Sequence, residues 1–179
     1  MRYYSTTGDA GTTSFGKGET ISKGCDRVEF LGCLDEAQVV LGFAAVEAEN
    51  NAHQETHQGL IWMQRSLFNA GTIIMGMTQD ENPGLFWEDQ LSEVENLIEL
   101  FAPEVELRSF VLPGGSELSA RIELARIAIR RLERVFCRLN SSAEMAGVDA
   151  LPYFNRLSSL CFVMARHSNE TLEVVERSL

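Results

Sequence analysis

Three arginines on one predicted helix have the spacing of an anion-binding site. Arg126, Arg130 and Arg134 recur every four residues, so on a helix they lie on one face about one turn apart. Guanidinium groups this close repel each other unless anions compensate them, and guanidinium binds phosphate through paired, charge-assisted hydrogen bonds. A polyphosphate ligand would satisfy the pattern. Acidic side chains of the same bundle or a solvated helix face would also satisfy it, and the spacing does not decide between them.

The N-terminal segment is rich in glycine and hydroxyl side chains. Thr6–Ser14 reads Thr-Thr-Gly-Asp-Ala-Gly-Thr-Thr-Ser, in which glycines permit close backbone approach and hydroxyls and amides can surround phosphate oxygens. Because 3–24 has little apolar periodicity, we predict a loop, and a flexible terminus would have the same composition. The nearby P-loop-like pattern is excluded, since Gly18 stands where a Ser or Thr is needed and no apolar strand precedes it.

Other polar residues have weaker patterns. His53 and His57, four apart, could point at one metal from a helix, but no third ligand is placed and surface histidines would look the same. With His167 as the remaining histidine and no Glu-x-x-His pairs, a ferritin-like metal bundle lacks its ligands. Asp35 and Glu36 interrupt an apolar pattern. Buried, such a carboxylate would need an arginine partner, whereas a solvent-facing turn would need none, and spacing does not decide.

Composition narrows the class of protein. The 179 residues, 45% of them hydrophobic, fit one compact domain. A formal charge of -11 opposes binding to nucleic acid and anionic membranes. The four cysteines lack zinc-site spacing and disulfide-scaffold density, which predicts free thiols in a reducing compartment. We find neither a signal-like apolar core in 1–8 nor a membrane-spanning run, and we expect a cytoplasmic protein that binds neither nucleic acid nor membrane.

Apolar periodicity predicts five helices over about 27–49, 53–77, 85–101, 116–139 and 148–176. Proline at 103 disfavours continuation of the third helix, and Ser116 is a plausible N-cap for the fourth. The predicted fold is an all-α, five-helix up-and-down bundle with a Gly/Thr-rich N-terminal loop.

Four sequence blocks occur in a specific order along nearly the whole chain. They are Thr7–Thr13 with Ser22-Lys23, Arg27–Glu29 followed by Gly32 and Asp35-Glu36, Phe110–Ser116 with Ala125-Arg126 and Arg130–Arg134, and Tyr153–Ser158 with Phe162–Arg166. Leu67–Gly71 is a weaker fifth block. In the order and the residues of these blocks, the chain resembles the propanediol-utilisation type of ATP:cob(I)alamin adenosyltransferase family. It departs from the family pattern at Ile122-Glu123, at Ser159 and at Gly24-Cys25-Asp26.

The resemblance implies a single domain, with 1–26 as the nucleotide-binding segment and 27–179 as the bundle, assembled as a homotrimer with ATP and corrinoid bound where subunits meet. The implied reaction transfers the 5'-deoxyadenosyl group of ATP to cob(I)alamin, with Mg2+ present, and gives adenosylcobalamin and triphosphate. A corrinoid reductase and an adenosylcobalamin-dependent enzyme are implied partners. A non-catalytic corrinoid or nucleotide carrier on the same scaffold is the alternative.

The resemblance also implies roles for individual residues. Phe110 would fill the space below the corrin ring and keep the lower axial base away, although a core aromatic before a turn would read the same. Asp35 would pair across the subunit interface with Arg126. We therefore expect Arg130, Asp35, Arg126 and Phe110 to be catalytic. The residues implied to bind ATP are Ser5, Thr6, Thr7, Gly8, Thr13, Ser14, Lys23, Arg130, Arg131, Glu133, Arg134 and Asn155.

Overall fold

A computed structural model describes residues 3–4, 6–16, 18–51, 53–76, 83–102, 110–141 and 149–178. The elements in chain order are β1 (Thr12–Phe15), β2 (Glu19–Ser22), α1 (Asp26–Asn50), α2 (Gln54–Ile74), α3 (Pro83–Phe101), α4 (Glu117–Asn140) and α5 (Leu151–Thr171). The predicted five-helix bundle is confirmed. Within these described ranges, no helix combines the length and apolar character needed to cross a bilayer.

Helix α1 packs against both α2 and α4. Glu47, near its end, forms an ion pair with Arg121 near the start of α4, at 3.0 Å. Asp26, the first residue of α1, lies 3.9 Å from Arg138 near the end of α4. The two helices are therefore antiparallel, although two other helices separate them in the sequence.

Helix α3 packs mainly on α5 rather than on α2, which precedes it in the chain. Arg156 Nε donates to Glu95 Oε1 at 3.0 Å. Nearer the C-terminal ends of both helices, the ring centroids of Phe101 and His167 are 5.3 Å apart. Both contacts run in the same direction along the two helices, so α3 and α5 are parallel. The helices thus alternate in direction, while their order in space differs from their order in the sequence.

An aromatic cluster fills the core where α1, α3, α4 and α5 meet. The ring of Phe154 lies 4.9 Å from Phe136, 5.2 Å from Tyr153, 6.0 Å from Phe30 and 6.3 Å from Trp87, measured between centroids. All five side chains are buried. Aromatic pairs at these distances add edge-to-face attraction to the area that they bury, so Phe154 contributes to several helix interfaces at once.

One polar chain crosses this core. The Tyr153 hydroxyl and Ser66 Oγ are 2.6 Å apart, and Ser66 donates to Gln90 Oε1. Because Ser66 has a single proton, Tyr153 is the donor to Ser66. Burial raises the pKa of Tyr153, which keeps the phenol neutral and available as a donor. The chain joins α2, α3 and α5.

The prediction of a loop was wrong over Thr12–Ser22, which forms an antiparallel hairpin. Phe15 pairs with Glu19 across the strands, and both apolar residues of the hairpin, Phe15 and Ile21, are buried. Gly16 and Gly18 have φ angles of 52° and 96°, a region that glycine adopts without strain. Two four-residue strands with so few apolar residues carry little alternation that a sequence pattern could reveal.

The fifth helix is shorter than the predicted 148–176. It ends at Thr171, and Glu173 has a left-handed φ of 54°, which a continuing helix does not allow. Val174 N donates to the Asn169 carbonyl at 2.8 Å, so the chain turns back. Residues 172–178, here called the C-terminal segment, do not continue the helix.

The aromatic cluster generates a stability prediction. Phe154→Ala removes a side chain of 0% exposure, and we expect it to lower the free energy of unfolding by about 3–5 kcal/mol through lost contacts and a residual cavity. Phe68→Ala makes the same change at 65% exposure on α2 and should change it by less than about 1 kcal/mol. Chemical denaturation monitored by circular dichroism measures both, and equal losses would contradict the assignment of Phe154 as a core residue.

Candidate functional site

The hairpin is fixed to the bundle by Arg27 in the first turn of α1. Arg27 donates from both terminal nitrogens to the Glu19 carboxylate at 2.9 Å each, and its guanidinium lies 4.9 Å from the centroid of the Phe15 ring. These hydrogen bonds hold the pKa of Glu19 below its usual range. At the hairpin turn, a Cβ on Gly16 would lie 2.7 Å from the Met75 carbonyl oxygen. The hairpin therefore contacts both α1 and the end of α2.

Lys23 lies against the turn that precedes the hairpin. A Cβ added to Gly8 would come within 2.9 Å of Lys23 Nζ and 3.3 Å of the Thr12 carbonyl oxygen, so glycine is what allows the ammonium group to approach. The backbone N–H of Lys23 donates to the Gly11 carbonyl at 2.9 Å. Lys23 is exposed. The structure thus brings Gly8 and Lys23, two of the predicted nucleotide-binding residues, into contact.

The other predicted N-terminal residues lie nearby along the chain. Thr6, Thr7 and Ser14 are exposed, and Thr13 is half-buried on β1. Ser5 lies outside the described residues. These hydroxyl residues therefore lie on the same turn and first strand as Gly8, against which the Lys23 ammonium packs.

The arginines of α4 divide into paired and unpaired groups. Arg126 Nε donates to Glu123 Oε2 at 2.5 Å, and both side chains are largely buried. Arg130 and Arg134 are exposed, and neither forms an ion pair within the described part of the chain. The predicted compensation of this face is therefore present at Arg126, whereas Arg130 and Arg134 remain available to an external anion.

Arg131 points toward α1 instead. Its two terminal nitrogens donate to Glu36 Oε2 at 3.0 Å and to Glu29 Oε1 at 3.3 Å. The hydrogen bond to Glu29 raises the pKa of Arg131. The Glu36 carboxylate, which interrupts the apolar pattern of α1, thereby has an arginine partner on the protein surface.

Glu133 and Asn155 connect α4 to α5. Asn155 Nδ2 donates to Glu133 Oε1 at 3.0 Å, and Arg156 Nη1 donates to Asn155 Oδ1 at 3.0 Å. Both Glu133 and Asn155 were predicted to bind the nucleotide, and the structure brings them together near Arg130 and Arg134 on the same half of α4.

The predicted Asp35 and Phe110 lie apart from these groups. Asp35 is exposed on α1, and in the described chain Arg126 contacts Glu123 rather than Asp35. Phe110 is 86% exposed in the linker before α4. At 1.5 Å per helical residue, the start of α4 lies roughly 20 Å from Arg130. In one chain, the linker that carries Phe110 therefore joins the start of α4, whereas Arg130 and Arg134 lie beyond the middle of the helix.

Two ion pairs of this region were not predicted from the sequence motifs. The Glu123–Arg126 pair has i,i+3 spacing, a signal that the sequence contained. The Glu19–Arg27 pair carries no comparable signal, because it depends on the hairpin bringing β2 back to α1. In both pairs, the carboxylate neutralises the charge of the arginine.

Histidines and cysteines show structural contacts. His57 Nδ1 donates to the Ala45 carbonyl at 3.0 Å. Among residues that the structure describes, no group of three His, Cys, Asp or Glu side chains is placed to hold a metal. All four cysteines are unpaired, and burial raises the pKa of both Cys33 and Cys161.

Solved structures share the fold along almost the whole chain. A phenylalanine-to-alanine variant of a PduO-type ATP:corrinoid adenosyltransferase from Lactobacillus reuteri, complexed with cobalamin and ATP, superposes with a TM-score of 0.85 at 26% identity and covers 99% of each chain. An arginine-to-lysine variant of the enzyme from the same organism, complexed with ATP, gives a TM-score of 0.74 at 26% identity over 98% of this chain and 99% of that one.

Curated sequence relatives have the same kind of name as these solved structures. The corrinoid adenosyltransferase of Bacillus subtilis is 34% identical over 94% of this chain and 87% of its own length. The corrinoid adenosyltransferase PduO of Citrobacter freundii is 32% identical over 100% of this chain but 55% of its own length. The chain thus spans about half the length of the first curated relatives that it matches. Since the model of the cobalamin adenosyltransferase family matches residues 3–168, the chain belongs to that family.

Proposed function

We propose that the chain transfers the 5'-deoxyadenosyl group of ATP to cob(I)alamin and releases triphosphate. The observation that carries this proposal is that Lys23, Arg130 and Arg134 are exposed and form no ion pair with the residues that the structure describes, in a family member whose formal charge is -11. In a chain with 26 acidic and 15 basic residues, two guanidinium groups of α4 without a carboxylate partner among the described residues favour a phosphate ligand. Arg126 and Arg131, by contrast, have carboxylate partners.

The solved relatives support the assignment of Phe110 and Arg130. The altered phenylalanine and arginine of the two Lactobacillus reuteri variants are separated by 20 residues in that chain. Phe110 and Arg130 have the same separation here. We infer that these two residues occupy the corresponding places, with Phe110 near the corrin ring and Arg130 near the triphosphate.

The chemistry requires positioning more than it requires a reactive side chain. The cobalt(I) electron pair forms the bond to the 5' carbon of ATP, and the carbon–oxygen bond to triphosphate breaks with its electrons leaving on oxygen. Cobalt(I) is itself the nucleophile, so the protein supplies no general base. Aligning the two substrates contributes on the order of 7–11 kcal/mol at best. Lys23, Arg130 and Arg134 would stabilise the charge that develops on the departing triphosphate.

The proposed roles of the remaining residues follow from the contacts that these residues make. Asn155 and Glu133 are joined by a hydrogen bond, and we propose that Asn155 contributes to the site from α5. Arg131 has its charge satisfied by α1, so its main part is to fix the orientation of α4, with the nucleotide contact as a further role. The proposed nucleotide segment is 1–26 and the proposed bundle is 27–179. Ser5, Thr6, Thr7, Gly8, Thr13 and Ser14 complete the proposed ATP site.

We propose Mg2+ as a companion of the triphosphate. The hydroxyls of Thr13 and Ser14 and the carboxylate of Glu133 are hard oxygen donors of the kind that Mg2+ accepts beside phosphate oxygens and water. The ion would neutralise part of the phosphate charge. Lys23, Arg130 and Arg134 would stabilise the remainder.

We propose that the site forms between subunits of a homotrimer. Val39, Phe43 and Val46 form an exposed apolar row on α1, and Leu124 and Ile127 are exposed on the adjoining α4. Contiguous exposed apolar side chains of this kind mark protein interfaces. The separation of Phe110 from Arg130 along α4 gives a second reason, because a neighbouring subunit can bring the two ends together. Asp35, exposed at the edge of this row, would then face Arg126 of the neighbour.

The chemistry also defines the proposed partners. Cobalt must be reduced before it can act as the nucleophile, so a corrinoid reductase supplies the substrate and an adenosylcobalamin-dependent enzyme consumes the product. Both reactions belong to a reducing, cytoplasmic setting, with which the four unpaired cysteines agree.

The triphosphate assignment predicts a specific loss of turnover. Arg130→Ala should lower the rate of adenosylcobalamin formation by about 10²–10³-fold, because it removes a preorganised cation from the leaving group. Arg138→Ala removes an exposed arginine from the same helix, whose ion pair with Asp26 is long at 3.9 Å, and should leave the rate unchanged. The assay is anaerobic, with ATP, Mg2+ and chemically reduced cobalamin, followed by absorbance. Full activity of Arg130→Ala would refute the role, and tight binding without conversion by the unaltered chain would identify a carrier.

The proposed interface predicts a change of oligomeric state. Ile127→Asp places a charge in the exposed apolar patch of α1 and α4, and burying it in an interface is costly, so trimers should dissociate and activity should fall. Leu100→Asp makes a comparable change at an exposed leucine on α3 and serves as the control. Light scattering coupled to size exclusion measures the mass. A trimer that persists in Ile127→Asp would argue against this surface.

A further inference from the structure

Asn169, near the end of α5, forms hydrogen bonds with two other parts of the chain. It is 2% exposed. Its Nδ2 donates to the Gly114 carbonyl at 2.8 Å and to Glu176 Oε1 at 3.0 Å, and its Oδ1 accepts from Ser116 N at 2.9 Å. Its own carbonyl accepts from Val174 N. One buried amide therefore ties α5 to the linker before α4 and to the C-terminal segment.

The C-terminal segment is held on its other side as well. Glu176 Oε2 lies 2.8 Å from Arg166 Nη1, and both side chains are mostly buried. Leu112 N donates to the Arg177 carbonyl at 2.8 Å, and Val111 and residue 178 form an antiparallel bridge. The segment and the linker thus run side by side.

The fit between Asn169 and the linker leaves no free space. A Cβ on Gly115 would lie 2.6–2.8 Å from three side-chain atoms of Asn169. Gly114, the preceding residue, would meet nothing within 4 Å. Both glycines have left-handed φ angles, 115° for Gly114 and 104° for Gly115. The amide of Asn169 is therefore packed directly against the linker backbone.

Phe110 is the first residue after α3 and Ala102 that the structure describes, and it packs little against the other described residues. With 86% of it exposed, the ring is placed by the path of the backbone that follows. That path is set by the bridge at Val111, by the hydrogen bond at Leu112 and by the two bonds from Asn169. A buried polar side chain that loses its partners costs free energy, so the hydrogen bonds of Asn169 restrict the linker to one path.

We propose that Asn169 is a positioning residue that holds Phe110 in place to exclude the lower axial base of cobalamin. The inference rests on the proposed function, and it goes beyond it by naming a residue outside the 3–168 range of the family match. Asn169 acts through the linker and does not itself touch the corrinoid. The C-terminal segment shares in this role through Glu176.

The test compares two corrinoids. Cobinamide lacks the lower base that cobalamin carries, so a defect in excluding that base should affect cobalamin most. We expect Asn169→Ala to lower turnover of cobalamin by about tenfold and that of cobinamide by less than about threefold, with ATP affinity unchanged. The spectrum of enzyme-bound cob(II)alamin with ATP should show a reduced base-off fraction. Because Asn169 acts through Phe110, the double variant with Phe110→Ala should be no worse than Phe110→Ala alone.

Two controls separate positioning from general damage. Ser168→Ala alters the adjacent buried residue, whose hydroxyl donates to Met164 within the helix, and should change neither corrinoid. Gly115→Ala and Gly114→Ala both strain a left-handed backbone, but the first also displaces the Asn169 amide. We therefore expect a greater cobalamin-specific loss in Gly115→Ala than in Gly114→Ala.

Several outcomes would overturn the proposal. Equal losses with cobalamin and cobinamide, or losses additive with Phe110→Ala, would show that Asn169 contributes only stability, and unchanged turnover would show no role. If thermal melting shows that Asn169→Ala is unfolded, equal behaviour of the two glycine variants would overturn it instead. Failure of the unaltered chain to adenosylate either corrinoid would refute the proposed function itself, which distinguishes the two failures.

Discussion

The packing of α4 between α1 and α5 is the constraint on which the rest of the structure depends. Leu132 and Phe136 face the core, and Arg131 forms ion pairs with α1. A helix with neighbours on two sides keeps one stripe in water, and on α4 this stripe changes character along its length. It is apolar at Ile127 and cationic beyond it at Arg130. A single helix can thereby provide both a surface for another subunit and a surface for an anion.

The overall charge of the chain makes the location of its cations significant. A protein of formal charge -11 repels ATP at long range, so binding depends on short-range contacts with cations that the protein has not already neutralised. Lys23 is held against the Gly8 turn, and the hairpin that supports it is fixed by Arg27 and Glu19. The cation is thus placed by backbone and ion-pair geometry before a ligand arrives, which is what electrostatic stabilisation requires.

Periodicity and capping chemistry predicted the helices, because each depends on residues close in sequence. Ser116 does cap α4, since its Oγ accepts from Ser119 N at 3.1 Å. The pairing of Arg131 with α1 could not be predicted, because its partners are about a hundred positions away. The end of α5 was missed because its left-handed turn occurs at Glu173, whereas the sequence signal for such a turn is glycine or asparagine. The motifs indicated which residues belong to the proposed site, whereas the structure was needed to show that Arg126 and Arg131 already have carboxylate partners.

The parallel packing of α3 on α5 also bears on how the chain acquires its fold. Helices α1 and α2 adjoin in sequence and can associate early, whereas α3 is synthesised well before α5; the Arg156–Glu95 contact spans 61 positions. Until α5 emerges from the ribosome, the apolar side of α3 that carries Trp87, Val94 and Phe101 lacks its main cover. Transiently exposed apolar surface promotes aggregation. Nascent chains that stall before Leu151 should therefore be the species that most require a chaperone.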